Sequence, residues 1–141
     1  MGAFLWLAVF ILANGALNLI TRGRLAATGI DFILPATILV AHESGILWGV
    51  GAAACIIAAH YLTALNKLHY FPFALVAGMS TAVAAGLSNG GMAGATLLGI
   101  LTYHISTFFM VLAVNGRIGL RYVIFTATNI AFTAVVLAQF G

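Results

Sequence analysis

The sequence predicts an all-α polytopic integral membrane protein: a compact bundle of about six transmembrane helices, the second short or re-entrant. Three observations lead there. Of 141 residues, 64% are hydrophobic and 5% are charged, whereas an ordinary soluble domain carries about 25% charged residues. The mean hydropathy of +1.19 belongs to chains whose solvent is lipid. The apolar residues also fall into runs at about 3–20, 29–42, 45–64, 71–88, 91–114 and 121–139, parted by short polar or glycine-bearing stretches. Residues 1–141 read as a single transmembrane helical domain with the bilayer as its first partner.

The elements follow in order. Ala3–Ala13 has the apolarity of a signal-peptide core, but no Lys or Arg precedes it and the run continues to Ile20. It is therefore expected to be a retained first helix. The second run is shorter than the ~17 residues that a span needs, with Pro35 inside it and Asp31 near its start. It is either a short tilted span from about Thr28 or a re-entrant piece buried against its neighbours. His42-Glu43-Ser44-Gly45 has the polar character of a turn leading into the third helix. Pro72 falls in the first turn of the fourth, where a helix accepts proline.

Ala74, Gly78, Ala82 and Gly86 then line one face of that helix with small residues. A Ser88-Asn89-Gly90-Gly91 turn leads to the fifth helix, where Gly90 with Gly94, and Ala95 with Gly99, continue the spacing. In lipid no hydrophobic force draws helices together, so interfaces use small residues that let backbones approach. The hairpin Phe71–Val114 is accordingly expected to be the packing centre.

All five cations fall on alternate connections: Arg22 and Arg24 in 21–28, Lys67 in 65–70, and Arg117 and Arg121 in or beside 115–120. Glu43 lies on the opposite side. The positive-inside rule places the cation-bearing connections in the cytoplasm. A formal charge of +3 from so few groups makes no nucleic-acid footprint. The lone Cys55 sits in an apolar run, where it reads as a structural thiol.

Ionisable residues inside spans are functional candidates because burying each one costs roughly 2.5–3.5 kcal/mol. His104 lies near the middle of the fifth helix and Asn129 near the middle of the sixth, with Thr126 and Thr133 on the same face. Ser80 has similar depth in the fourth. Together they could form a midplane solute site or act as interhelical hydrogen bonds worth about 0.6 kcal/mol each. A second group lies toward the cation-bearing side: Asn14, Asn18, Asp31 and His60, followed by Tyr61 and His69. It could be a solute site or simply interfacial polar residues.

Metal-ligand candidates are His60, His69, Asp31, His42 and Glu43, since imidazole and carboxylate suit zinc, copper or iron. No pair among them has a recognised ligand spacing. Paired carboxylates, Gly-x-Ser-x-Gly, a phosphate-binding glycine loop and a zinc signature are absent from the sequence, which points away from an enzyme. No cofactor can be named. A haem between His60 and His104 is hindered by a depth difference of roughly 10 Å.

Phe32-Ile33-Leu34-Pro35, the Gly45-Ile46-Leu47-Trp48-Gly49-Val50-Gly51 opening of the third helix, Tyr70-Phe71-Pro72-Phe73 and Gly116-Arg117-Ile118 carry a resemblance. Over about 30–130 the chain resembles the substrate-binding (S) components of energy-coupling-factor transporters. The resemblance implies six helices with a short second one, and a non-enzymatic transport subunit that binds a small solute and takes energy from other integral-membrane subunits. It also implies that the first, third and fifth connections lie outside and border the solute, opposite to the charge rule. Two other roles fit the composition. One is an accessory or scaffolding subunit of a larger respiratory or monooxygenase complex, and the other is a histidine-based metal or haem anchor.

Overall fold

A computed structural model describes residues 2–63 and 65–141, with side chains at all of these except 65–67. Its elements are α1 (Ala3–Thr21), a single-turn α2 (Arg24–Ala27), α3 (Ile33–Ser44), α4 (Ile46–Thr63), a 3-10 helix over Leu65–Tyr70, α5 (Phe71–Gly86), α6 (Gly91–Asn115) and α7 (Leu120–Leu137). No strand occurs among the described residues. Five stretches are long and apolar enough to cross a membrane: α1, α4, Leu68–Gly86 ending as α5, α6 and α7. The protein is an all-α membrane bundle.

α3 is the short second helix. Its 12 residues reach about 18 Å at the rise of an α-helix, little more than half of a hydrocarbon layer about 30 Å thick. Every residue from Ile33 to Ala41 is buried, as a helix apolar on all sides requires. It starts at depth. Phe32 stacks on Phe10 of α1 with ring centroids 5.3 Å apart, and the Phe32 N–H donates to Asn14 Oδ1 at 3.1 Å. The chain therefore leaves α1, turns through α2, and descends into the bundle before α3 begins. α3 is a half-span surrounded by the other helices.

Two expectations change. His42, Glu43 and Ser44 are helical, and the reversal into α4 is made by Gly45 alone. Its φ of +93° is a conformation glycine adopts without steric cost, and its N–H returns to the Ala41 carbonyl at 3.1 Å. The hairpin of α5 and α6 is closely packed as expected, but the packing centre is wider than the hairpin. The small residues of α5 face α4 as well as their hairpin partner: a Cβ on Gly78 would sit 2.6 Å from Ile57 Cδ1 and 3.3 Å from Ala53 Cβ. On α6, a Cβ on Gly99 would sit 2.6 Å from Ile38 Cδ1 of α3 and 3.5 Å from Thr81 Cγ2 of α5. α4 approaches α3 in the same way, with Gly49 against Ala41. The stripes mark close approach, and what α4, α5 and α6 close upon is α3.

Candidate functional site

The descending connection explains several polar residues at once. Irregular backbone at membrane depth must be satisfied by the protein itself, since lipid offers no partners. Three side chains do this. Asn14 Oδ1 accepts from Phe32 N, and Asp31 Oδ1 accepts from Ile33 N at 3.0 Å. Asn129 Nδ2 donates to the Gly29 carbonyl at 2.9 Å. Asp31 is buried and lies where the N-terminal end of the α3 dipole favours a carboxylate.

Above this connection, toward the cation-bearing end, lies a partly open cavity of about 270 Å³. Residues on α2, at the starts of α3 and α7, at the end of α4 and on α6 contribute to its walls, as do Tyr70 of the 3-10 helix and the first turn of α5. Tyr61, Tyr70, Tyr103 and Tyr122 all line it, and these are the four tyrosines of the chain. Phe73 and Phe125 add aromatic surface, and Asp31, His60 and Thr107 add polar groups. An enclosure mostly apolar and aromatic, with a few convergent polar groups, is the form of a small-molecule site.

Two of the wall residues hold the walls to each other. The Tyr122 hydroxyl donates to the His104 carbonyl at 3.1 Å and lies 3.0 Å from Thr107 Oγ1, fixing α7 to α6. Tyr61 packs edge-on against Phe71, with centroids 5.7 Å apart, which ties the end of α4 to the start of α5.

Behind His60 the network continues into α1. Asn14 Nδ2 is 3.1 Å and Asn18 Nδ2 is 3.2 Å from His60 Nδ1. Asn18 Nδ2 also donates to Thr63 Oγ1 at 3.1 Å. The grouping of Asn14, Asn18, Asp31 and His60 expected from sequence is thus found, divided between two positions. Asp31 and His60 reach the cavity wall, and the two asparagines stand behind them.

His104 and Asn129 are neighbours across α6 and α7, but they are not among the residues lining this cavity. His104 instead borders a second, more open and almost wholly apolar depression, also of about 270 Å³, with Ile105, Phe109 and Ile130 on the outer face of the bundle. Neither of its ring nitrogens has a hydrogen-bond partner of ordinary geometry, and the same holds for Asn129 Oδ1, Thr126 Oγ1 and Thr133 Oγ1. Ser80 is half-buried and lines neither depression. His104 and Asn129 therefore form a seam between two helices, and the cavity with the convergent polar groups lies nearer the helix ends.

The metal candidates divide, Asp31 and His60 staying together at the cavity wall while the others part from them. His42 and Glu43 sit at the end of α3 away from the cavity, and His69 is exposed, its ring centroid 3.9 Å from that of Tyr70. Among the described residues no three His, Cys, Asp or Glu side chains gather as a metal site. Cys55 is exposed on the outer surface of α4. The side chain of Lys67 lies outside the described residues.

Sequence reasoning missed the tyrosines as a set. A signal was present: Tyr61, Tyr70 and Tyr122 all flank cation-bearing connections. No protein-family model matches the chain, and no curated protein or solved structure matches it either.

Proposed function

We propose that this chain is a non-enzymatic, membrane-embedded transport subunit that binds a small solute and works with other integral-membrane subunits. It would act in the manner of an energy-coupling-factor S component. The observation that carries this reading is the cavity itself: four tyrosines with Asp31 and His60 around about 270 Å³. Its position supports the same reading, because residues beside the first, third and fifth connections (Ala26, Ala27, Tyr70 and Tyr122) meet there. Those are the connections that border the solute in the family the sequence resembles.

Uptake requires that this end face outward, where the five cations of the adjoining connections would attract an anionic solute over a Debye length of about 8 Å at physiological salt. The positive-inside rule taken alone assigns the same end to the cytoplasm. We take the outward orientation. The accessory-subunit reading drew on small-residue stripes as surfaces for partners, whereas Gly78 and Gly99 pack within the chain.

The test is a thermal-shift screen of the purified protein in detergent against water-soluble organic solutes small enough for the cavity. One chemical class should raise the unfolding temperature of the wild type, and Tyr103→Ala should abolish that response while remaining folded. A screen in which no solute stabilises the protein, or in which Tyr103→Ala responds like wild type, would remove the reading.

A further inference from the structure

The network behind His60 is anchored at both ends by backbone groups whose hydrogen-bonding roles cannot be exchanged. At one end is the Phe32 N–H, a donor only. The Asn14 atom 3.1 Å from it must therefore be the carbonyl oxygen, which leaves the Asn14 amide nitrogen facing His60 Nδ1. At the other end are the carbonyls of Ala59 and His60, acceptors only. They take the Thr63 hydroxyl proton at 3.2 and 2.8 Å. Thr63 Oγ1 must then accept from Asn18, so the Asn18 amide nitrogen faces Thr63 and, with its second hydrogen, His60 Nδ1. The orientation of an asparagine amide and the tautomer of a histidine are assigned through the network around them; here the Phe32 N–H fixes Asn14, and Asn18 follows from the Thr63 hydroxyl, with its own Oδ1 left without a partner.

We infer that Asn14 and Asn18 hold His60 as the Nε2–H tautomer, so that the ring presents a hydrogen-bond donor on the edge away from α1. Two N–H groups converge on Nδ1, and an amide nitrogen accepts nothing. Nδ1 therefore carries the lone pair and the proton resides on Nε2. The Nε2–H bond points roughly away from α1. Whatever meets that edge of the ring, from the chain or from a solute, does so as an acceptor: a carbonyl, a carboxylate or a ring-nitrogen lone pair. Asn14 and Asn18 thereby set the polarity of a ring that lines the cavity, even though they stand behind the wall. Asn14 also bonds Phe32, the residue just before the α3 half-span, so one side chain acts on both the depth of the connection and the polarity of the His60 ring. The bearing on recognition rests on the solute-binding reading above, whereas the tautomer is a property of the chain with or without a solute.

The experiment is two-bond ¹H–¹⁵N correlation spectroscopy at neutral pH on protein carrying ¹⁵N-histidine in detergent micelles. The chain has four histidines, and His60 is assigned by the signal lost in His60→Gln. The expected pattern is a pyridine-type Nδ1 and a pyrrole-type Nε2. A wild-type pyrrole-type Nδ1, or an imidazolium with both nitrogens protonated, overturns the inference. Asn14→Asp preserves the acceptor for Phe32 N–H and replaces the donor facing Nδ1 with a carboxylate oxygen. The Nδ1 signal should move toward the pyrrole type, and an unchanged pattern in the folded variant would overturn the positioning role. Should that variant fail to fold, the wild-type spectrum decides alone. A pyridine-type Nδ1 in a protein that binds none of the screened solutes would sink the transport reading and leave the tautomer standing.

Discussion

Asn129 on α7 donates its side-chain N–H to the carbonyl of Gly29 at 2.9 Å, across 100 residues of sequence. The pairing is close on every side. A Cβ on Gly29 would run into the carbonyl oxygen of Phe125 and lie 2.9 Å from the Asn129 backbone nitrogen. Gly29 also has φ +92°. The last helix thus presses directly on the connection that descends to α3, and one amide satisfies a carbonyl that lipid would leave bare.

Asn129→Ala should therefore destabilise the protein by about 1–3 kcal/mol, the cost of leaving a buried carbonyl unpaired. Gly29→Ala should cost more, since the added methyl meets backbone on α7 and the left-handed φ adds about 1–3 kcal/mol of strain. Reversible unfolding in mixed micelles reads both. Equal stability of Asn129→Ala and wild type would show that the contact contributes nothing.

His104 leads to the opposite expectation. Its imidazole is 9% exposed and, although Asn129 stands beside it, neither ring nitrogen has a hydrogen-bond partner of ordinary geometry, so an apolar replacement removes two poorly satisfied groups. Replacing unpaired buried polar groups with apolar ones of similar shape is close to neutral or stabilising. His104→Leu should retain wild-type stability, and its thermal response to any solute that stabilises the wild type should be unchanged, because His104 is not among the residues lining the tyrosine-lined cavity. Loss of the solute response in a folded His104→Leu protein would return the site to the midplane.

These two residues show how far the sequence could be read. Length and apolarity placed the helices to within four residues at each end, because a bilayer fixes how long an apolar helix must be. The same economy of polar residues made His104, Asn129, Asn14 and His60 conspicuous. What each one does depends on partners far along the chain: Gly29 for Asn129 and His60 for Asn14. No local pattern encodes such distances. Small-residue spacing told that backbones come close without telling which ones, so Gly78 could be placed in an interface but not against Ile57. Asp31 and Pro35 marked the second run as unusual, yet the burial of α3 on all sides depends on how α4, α5 and α6 close around it.

Gly99 tests that closure. Its position lies against Ile38, a fully buried side chain of α3, and overfilling a packed core costs about 1–3 kcal/mol. Gly99→Ala should lower stability by that order, and Gly99→Leu should prevent assembly of the bundle. Gly15→Ala on α1 is the control, since nothing lies within 4 Å of the added methyl. Unfolding curves that rank Gly15→Ala below Gly99→Ala would place the packing axis elsewhere.

The side of the membrane on which the cavity lies can be read at Ile118, between α6 and α7 and within two residues of Gly116, whose φ is +67°. Cys55 is exposed, so the experiment starts from Cys55→Ala, where Ile118→Cys supplies one thiol for an impermeant reagent added to intact cells. Labelling from outside is expected. Tyr122, two turns or less from this position, lines the cavity, so an accessible residue 118 places the cavity mouth on the side from which a solute arrives. The charge rule rests here on three connections, few enough for a functional demand to override their statistical preference. Protection from the reagent, with labelling restored in inverted vesicles, would put the cations and the cavity in the cytoplasm. An uptake subunit would then have its site facing the wrong way, and the accessory-subunit reading would take its place.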